Sequence, residues 1–347
     1  MSKLTLLMIG DYLSSQAHSQ NVWQDLASHL QNSGYHILAT SGKKNKVLRL
    51  LEMLWTIWQQ KKEYDFAQVD VFSGPAFLWA FLSGKLLKRI KKPFILTLHG
   101  GNLPDFSKQH PGEVRCLLSQ AVAVTVPSRY LQAAMQTYRH DLRLIPNALD
   151  TSKYPYIERS NPQPTLVWLR AFHEIYHPEM AIEVLERLKD KFPQIKLTMT
   201  GPDKKDGSLQ KTLDLGVQLN LQDHVSFPGA TSKSDVPARL NEGDIFLNTT
   251  NFDNTPISVM EAMACGLCIV STNVGGIPYL LEDGVDALLV PPNDPEAMAA
   301  AVKRIITEPG LAEKLSGNAR KEVEQFDWSI ILPQWENLIS RVAEGNK

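Results

Sequence analysis

The stretch Asn248–Pro278, NTTNFDNTPISVMEAMACGLCIVSTNVGGIP, decides the fold. It reads as strand, loop, short helix, strand and glycine loop. Ile245–Leu247, just before it, has a strand's composition. Thr255 is placed to cap a helix, with Pro256 at the first helical position. Ile257, Met260, Ala264 and Leu267 space out as a helix face, and Gly266 stands where helices commonly end in the left-handed conformation. Ile269-Val270 opens the next strand, which Gly275-Gly276 breaks. A helix N-terminus aimed out of a strand end favours anions, because its first N–H groups lack partners and its dipole is positive there. Asp253 before this helix and Glu261 within it flank that end. The pattern predicts a site for a nucleoside diphosphate carrying a sugar.

Outward from this stretch, the chain alternates strand and helix from end to end. Its 347 residues suffice for two domains. The 43% hydrophobic and 21% charged fractions are those of an ordinary globular protein. Net charge is −1, so global charge gives no reason to expect a nucleic-acid partner. The halves differ: residues 1–150 carry 17 Lys and Arg against 10 Asp and Glu, and residues 151–347 carry 19 against 27. A basic front half suggests an anionic surface or acceptor there, with solvated lysines as the plainer reading. Leu4–Ile9 is a strand-length apolar run rather than a secretory leader, and no window reaches the length of a membrane span. Three cysteines, Cys116, Cys265 and Cys268, suit a reducing, cytoplasmic setting. Cys265-Gly-Leu-Cys268 matches C-x-x-C, but at a helix end it reads as packing.

The front half opens as a doubly wound βαβ sheet: strand Leu4–Ile9, helix from about His18 to Asn32, strand Tyr35–Ala39. It lacks both G-x-G-x-x-G and a P-loop. The segment Lys43–Lys62 sets Val47, Leu48, Leu50, Leu51, Leu54, Trp55 and Trp58 in a basic frame. One reading buries Val47, Leu51, Leu54 and Trp58 against the sheet. The other lays Trp55 and Trp58 into anionic lipid. Strand Phe94–Leu98 delivers His99-Gly100-Gly101-Asn102 to the ligand edge, where a glycine loop lets a histidine approach substrate. A turn histidine bonded to backbone is the alternative. Ser128 follows the next strand and caps a helix through Met135, and Arg143–Ile145 leads out through Pro146-Asn147.

From Asp150 to Pro164, three prolines without periodicity read as an interdomain linker. The alternation resumes at Thr165–Leu169, which delivers Arg170 to a strand end, where its planar fork suits phosphate oxygens. Strand Lys196–Thr200 ends in Gly201-Pro-Asp203-Lys204-Lys205. A final helix is expected from about Pro333 to Val342. The architecture predicted is α/β, with two Rossmann-like domains: 1–150 together with about 328–347, and 151–327.

These residues resemble the retaining GT-B glycosyltransferases of family 4, also called group 1. The resemblance rests on Asp253-x7-Glu261 within NFDNTPISVMEAMACG, on VSTNVGGIPYLL and DGVDALLVPPNDPEAMAAAV, on Ile145-Pro-Asn147-Ala-Leu-Asp150, and on Arg170. It implies two domains facing a cleft, with the terminal helix crossing back to the front one. It implies a metal-independent transfer of a sugar, with retention, from a nucleotide sugar to a glycan or lipid-linked acceptor, with no cofactor. The absence of D-x-D from the sequence agrees with that. The resemblance assigns Glu261 to the donor ribose, Asp253 to the transferred sugar, and Arg170 to the diphosphate. Asn254, Thr255, Pro256, Ile257 and Ser258 would cradle that diphosphate, and Gly229 would lie near the base. His99 would position sugar and acceptor, with Gly10, Asp11, Gly100, Ser128 and Asn147 on the acceptor side. It implies an enzyme of polysaccharide-precursor assembly; the cysteines point to the cytoplasm, and the basic front half to a peripheral place on the inner membrane face. Three departures stand out. Asp253 replaces the usual glutamate. Ala148 replaces a glycine. Tyr176 and His177 stand where a diphosphate lysine is usual, with Lys204 or Lys205 as candidate substitutes. A GT-B epimerase and a non-catalytic, membrane-docked nucleotide-sugar binder are the alternatives.

Overall fold

The computed structural model describes residues 4–10, 22–43 and 45–344. It divides into two compact units, one of residues 1–148 with 328–347 and the other of residues 149–327. Each is built on a six-stranded parallel sheet.

In the front unit the strands are β1 (Thr5–Ile9), β2 (His36–Thr40), β3 (Phe66–Val71), β4 (Phe94–Leu98), β5 (Ala123–Val126) and β6 (Arg143–Leu144), ordered β2-β1-β3-β4-β5-β6. Side chains alternate across the sheet, as the two-residue period of a strand requires. Leu7 and Ile9 of β1 join the cluster of Val69, Leu96, Leu98 and Met53. Leu6 and Met8 join that of Phe66, Ile95, Leu26, Trp328 and Ile331. The last helix of the chain, Trp328–Glu344, covers this second face with Trp328, Ile331, Trp335, Leu338, Ile339 and Val342. It begins five residues before Pro333, where the sequence placed its start. Proline there removes one backbone hydrogen bond, and the apolar face on both sides of it carries the helix through.

The helix α2 (Lys46–Gln59) turns the other way from its apolar pattern. It buries Arg49, Met53 and Ile57 and exposes Val47, Leu48, Leu51, Trp55 and Trp58. The reading that packed Val47, Leu51 and Trp58 on the sheet is therefore corrected. Helix α3 (Phe77–Arg89) packs beside it.

In the back unit the strands are β7 (Thr165–Leu169), β8 (Lys196–Thr200), β9 (Val225–Gly229), β10 (Ile245–Asn248), β11 (Cys268–Thr272) and β12 (Ala287–Val290), ordered β12-β11-β10-β7-β8-β9. The order reverses at β7, which pairs with β8 on one side and β10 on the other. Loops leaving adjacent strands there diverge, opening a crevice at the carboxyl edge.

The proline-containing stretch read as a linker is packed onto this unit. Tyr154 and Arg159 are buried. The Arg159 guanidinium donates to Asp244, Asn241 and the carbonyls of Cys265 and Gly243, and the Ile157 N–H donates to the Cys265 carbonyl at 3.1 Å. A fully buried guanidinium needs this many acceptors to offset its desolvation.

Candidate functional site

The helix the sequence pointed to, α10 (Ile257–Cys265), leaves the β10 edge of the crevice. Between it and α3 run α4 (Leu103–Gln109), α5 (Pro111–Gln120) and α6 (Arg129–Met135) in the front unit and α7 (Pro178–Lys189), α8 (Ser208–Gln218) and α9 (Val236–Leu240) in the back unit, and α1 is Val22–Asn32. Gly266 closes it at φ +78°, the left-handed geometry expected of it. The start differs by one residue. Pro256 is itself the N-cap, extended at φ −72° and ψ 112°. Having no N–H, it cannot contribute to an anion cradle through its backbone. Val259 and Met260 donate back to the Pro256 carbonyl, which leaves the Ile257 and Ser258 N–H groups as the forward-facing pair. The Thr255 hydroxyl is buried without a partner rather than capping the helix.

The loop before α10 is held by close backbone contact. A Cβ on Gly275 would lie 2.2 Å from the Asp253 carbonyl oxygen, and one on Gly276 would lie 1.8 Å from that of Asn254. The Gly276 N–H donates to the Asp253 carbonyl at 2.8 Å, and the Asn254 N–H to Asp253 Oδ1, also at 2.8 Å. The glycine pair, read in the sequence only as a strand break, fixes the path of Asp253 and Asn254.

Arg170 follows β7 directly. Its guanidinium pairs with the Asp253 carboxylate, reaches Ser258 Oγ at 3.5 Å, and lies 4.1 Å from the centre of the Tyr176 ring. Tyr176, in the lysine's usual place, therefore serves as a platform for the arginine. It is positioned by a clamp: Thr249 Oγ1 donates to the Tyr176 carbonyl at 2.7 Å, and the Asn251 N–H to that of Ile175 at 2.8 Å. Arg170 and Asp253, assigned separately to diphosphate and sugar, are joined here because opposite charges at two adjoining loop starts neutralise each other.

Glu261 sits one turn inside α10 and is 6% exposed. Tyr154 donates to its Oε1 at 2.8 Å. Burial pushes its carboxyl up to about 7, against the Tyr154 hydrogen bond and the charges of Lys233 and Arg170, which favour ionisation. Tyr154 and Lys233 were not anticipated. Tyr154 comes from the supposed linker, and Lys233 follows β9 four residues after Gly229.

The other back-unit candidates lie on the same sheet edge. Gly229 ends β9 at φ +84°, and its carbonyl accepts from Gly201 at 3.0 Å. Lys204 and Lys205 follow β8 and are exposed. The Lys204 N–H donates to the Phe172 carbonyl at 3.2 Å. Cys265 and Cys268 are buried free thiols, each pushed up to about 12 by burial, in keeping with packing.

In the front unit, Gly10, His99, Gly100, Ser128 and Asn147 all follow carboxyl ends of parallel strands. Asp11 lies outside the described residues. His99 Nε2 is 2.9 Å from Oδ1 of buried Asp70, and its ring stacks on Phe72 at 5.0 Å between centroids. Gln68 donates to the same Asp70 oxygen at 2.7 Å and to Thr97 at 2.9 Å, while Thr125 donates to Thr97 at 3.0 Å. His99 is thus oriented by a carboxylate behind it rather than by backbone. In the neutral tautomer that donates Nε2–H to Asp70, Nδ1 is the ring's acceptor. Ser128 caps the helix Arg129–Met135 through the Leu131 N–H at 3.1 Å, the structural role its position predicted.

The family model described as glycosyl transferases group 1 matches residues 156–322, and that described as glycosyltransferase family 4 matches residues 23–153. The chain belongs to the group 1 glycosyltransferases. Its two-unit, doubly parallel architecture is the GT-B fold of that family. The amylovoran biosynthesis glycosyltransferase AmsK of Erwinia amylovora is 30% identical over 171 residues, which make up 47% of this chain and 41% of that protein. Relatives at 30 to 31% identity are matched over only 27 to 44% of their own length. The phosphatidyl-myo-inositol mannosyltransferase of Mycolicibacterium smegmatis is more distant but matched more fully, at 22% identity over 83% of this chain and 72% of that protein. Among solved structures, sucrose-phosphate synthase from Thermosynechococcus elongatus superimposes with a TM-score of 0.82 at 18% identity, covering 99% of this chain and 100% of that one. Anabaena HepE in complex with UDP-glucose gives 0.74 at 17% identity, covering 97% and 100%. Both share the fold of this group 1 chain.

Proposed function

We propose that this chain transfers a hexosyl group from a nucleoside diphosphate sugar to an acceptor hydroxyl, with retention of anomeric configuration and without a metal ion. The observation that carries the reading is the back-unit constellation: Arg170 against the N-terminus of α10, with buried Glu261 one turn behind. A guanidinium and two free N–H groups suit a diphosphate, and a buried carboxylate suits the paired hydroxyls of a ribose. That HepE, which has the same fold, is solved with UDP-glucose supports a donor of this class.

In the reaction, the bond from the anomeric carbon to the diphosphate oxygen breaks and the bond to the acceptor oxygen forms on the same face. The acceptor's proton passes to the departing diphosphate. Charge develops on the leaving group, and fixed cations there lower the barrier. Arg170, with the Ile257 and Ser258 N–H groups, supplies that stabilisation. Asp253 addresses the transferred sugar once the diphosphate has claimed Arg170. His99, set by Asp70, is the front unit's candidate for holding an acceptor, with Gly10, Gly100 and Asn147 beside the same strand ends. The lipid in the name of the Mycolicibacterium relative supports a lipid-linked glycan precursor as acceptor. Such an acceptor would be met at the inner face of a membrane.

The test is a thermal-shift screen of nucleotide sugars, followed by a transfer assay on a lipid extract with and without EDTA. A bound ligand raises the melting temperature by mass action. The reading expects a stabilising nucleotide sugar and EDTA-insensitive transfer to a glycolipid acceptor. Stabilisation by none of them, or epimerisation of the donor without any transfer, overturns it.

A further inference from the structure

Helix α2 carries two apolar faces, one buried and one exposed. A helix on a protein surface normally presents its apolar stripe to the core and its charges to water. Here the side facing the front unit buries Met53 and Ile57 together with Arg49, which is 4% exposed, with Nε donating to the Lys43 carbonyl at 2.9 Å and the guanidinium 5.0 Å from the Trp79 ring. The side facing away carries Val47, Leu48, Leu51, Trp55 and Trp58, exposed by 66, 54, 57, 59 and 50%. At ~100° per residue these five fall within an arc of about 100° over about 16 Å of helix. They leave on the order of 500 Å² uncovered, the upper range for a patch on a monomeric protein.

Two features identify what covers this stripe. The first is charge. Lys43, Lys46 and Lys62 are exposed at the two ends of the helix, and the Lys61 ammonium stands 4.9 Å from the Trp58 ring. Glu52, the one acidic residue between positions 43 and 62, accepts from the Ser41 hydroxyl and is half-buried. The neighbouring α3 adds exposed Lys85, Lys88 and Arg89. The second is composition. Trp55 and Trp58 stand 5.9 Å apart, and paired indoles flanked by lysines suit the headgroup region, where the ring is half-solvated and the ammonium meets lipid phosphate. Among the described residues no helix is long and apolar enough to cross a membrane.

We propose that the exposed face of α2 docks the protein in plane on an anionic bilayer, with Trp55 and Trp58 inserted and Lys43, Lys46, Lys61 and Lys62 on lipid phosphates. This deepens the membrane-face part of the proposed function and rests on it, but it is independent of the transfer chemistry, since α2 belongs to the front unit alone.

The experiment is co-sedimentation of the full chain with phosphatidylglycerol-containing vesicles and with pure phosphatidylcholine vesicles, for the wild type and Trp55→Ser/Trp58→Ser. Size-exclusion chromatography with light scattering and calorimetry with UDP, GDP, ADP and dTDP accompany each. The expected result is binding to the anionic vesicles only, reduced at least tenfold in the double variant, with the same UDP affinity in both proteins. A wild type that stays in solution with anionic vesicles overturns the proposal, as does a double variant that binds undiminished. A dimer that the double variant dissolves, without vesicle binding, overturns it in favour of a second copy on this face. If neither protein binds UDP, GDP, ADP or dTDP while vesicle binding behaves as expected, the donor reading fails and the docking surface stands. Lys46→Glu/Lys62→Glu, which leaves the apolar face intact, is expected to lose anionic selectivity, and an unchanged preference counts against the role of the lysines.

Discussion

Tyr154 donates a 2.8 Å hydrogen bond to Glu261 from a segment that lies 107 residues earlier in the chain. It is a buried donor meeting a buried carboxyl that sits near neutrality, where its charge state is open to control. That contact makes the pH dependence of the donor site a property of two distant stretches of sequence.

If Glu261 holds the donor ribose as proposed, affinity for the nucleoside diphosphate is expected to rise as pH increases through about 7, because only the ionised carboxylate accepts from both ribose hydroxyls. Tyr154→Phe removes a group that favours ionisation, so its midpoint moves to higher pH. Calorimetry from pH 6 to pH 9 checks this, and a flat profile in both proteins removes Glu261 from the ribose.

The same shift has the opposite sign for stability. Between the ordinary carboxyl range and about 7, the folded state holds a proton that the unfolded state has released, so stability falls as pH rises through that window and the deficit is fully present above it. Glu261→Gln keeps an acceptor for Tyr154 and carries no charge. It is expected to be more stable than wild type by about 1–3 kcal/mol at pH 8 and to differ little at pH 4. Thermal melts at the two pH values measure it, with sugar transfer abolished in the same variant.

Arg170→Ala is expected to weaken UDP binding about 10- to 100-fold, the effect of losing a charged hydrogen-bond donor to phosphate. Asp253→Asn, which frees Arg170 from its pair, is expected to bind UDP as tightly as wild type or more tightly while transfer falls. Loss of UDP affinity in Asp253→Asn means that the carboxylate positions the arginine for the nucleotide.

Lys233→Ala is expected to cost UDP affinity about as much as one exposed phosphate contact, roughly 3- to 10-fold, and more than Lys204→Ala or Lys205→Ala. Of these three lysines, only Lys233 is placed for its charge to act on Glu261. Equal effects across the three variants assign the missing diphosphate cation elsewhere.

Asp70→Asn preserves shape and removes the carboxylate behind His99. Turnover is expected to fall at least tenfold with affinity for the nucleoside diphosphate unchanged. Unchanged turnover makes the pair structural.

The parts of this molecule that read cleanly from sequence are those set by local chemistry. Gly266 ends α10 because a left-handed residue is needed there, and Thr165–Leu169 and Lys196–Thr200 form strands at those bounds. Arg170, Glu261 and His99 were visible because each stands just past a legible strand or inside a legible helix. What escaped depends on tertiary partners. Strand Phe66–Val71 carries Gln68 and Asp70 inward, so its polar content hid a fully buried strand and with it the partner of His99. Helix α2 has a second apolar pair, Met53 and Ile57, and it is this pair with Arg49 that faces inward, while the longer stripe of Val47, Leu51, Trp55 and Trp58 dominated the periodicity. The segment before Pro164 looked unstructured because its order comes from Arg159 and Tyr154 bonding to residues more than 80 positions away. Lys233 carried no motif at all.

The Gly275-Gly276 contact bears on how this scaffold diversifies. With carbonyl oxygens where any side chain would begin, neither position accepts a substitution without displacing Asp253 and Asn254. Insertions or altered loop lengths around them meet the same barrier. Variation in this loop is therefore confined to side chains, such as those of residues 253 and 255, carried on a backbone that the two glycines hold in place.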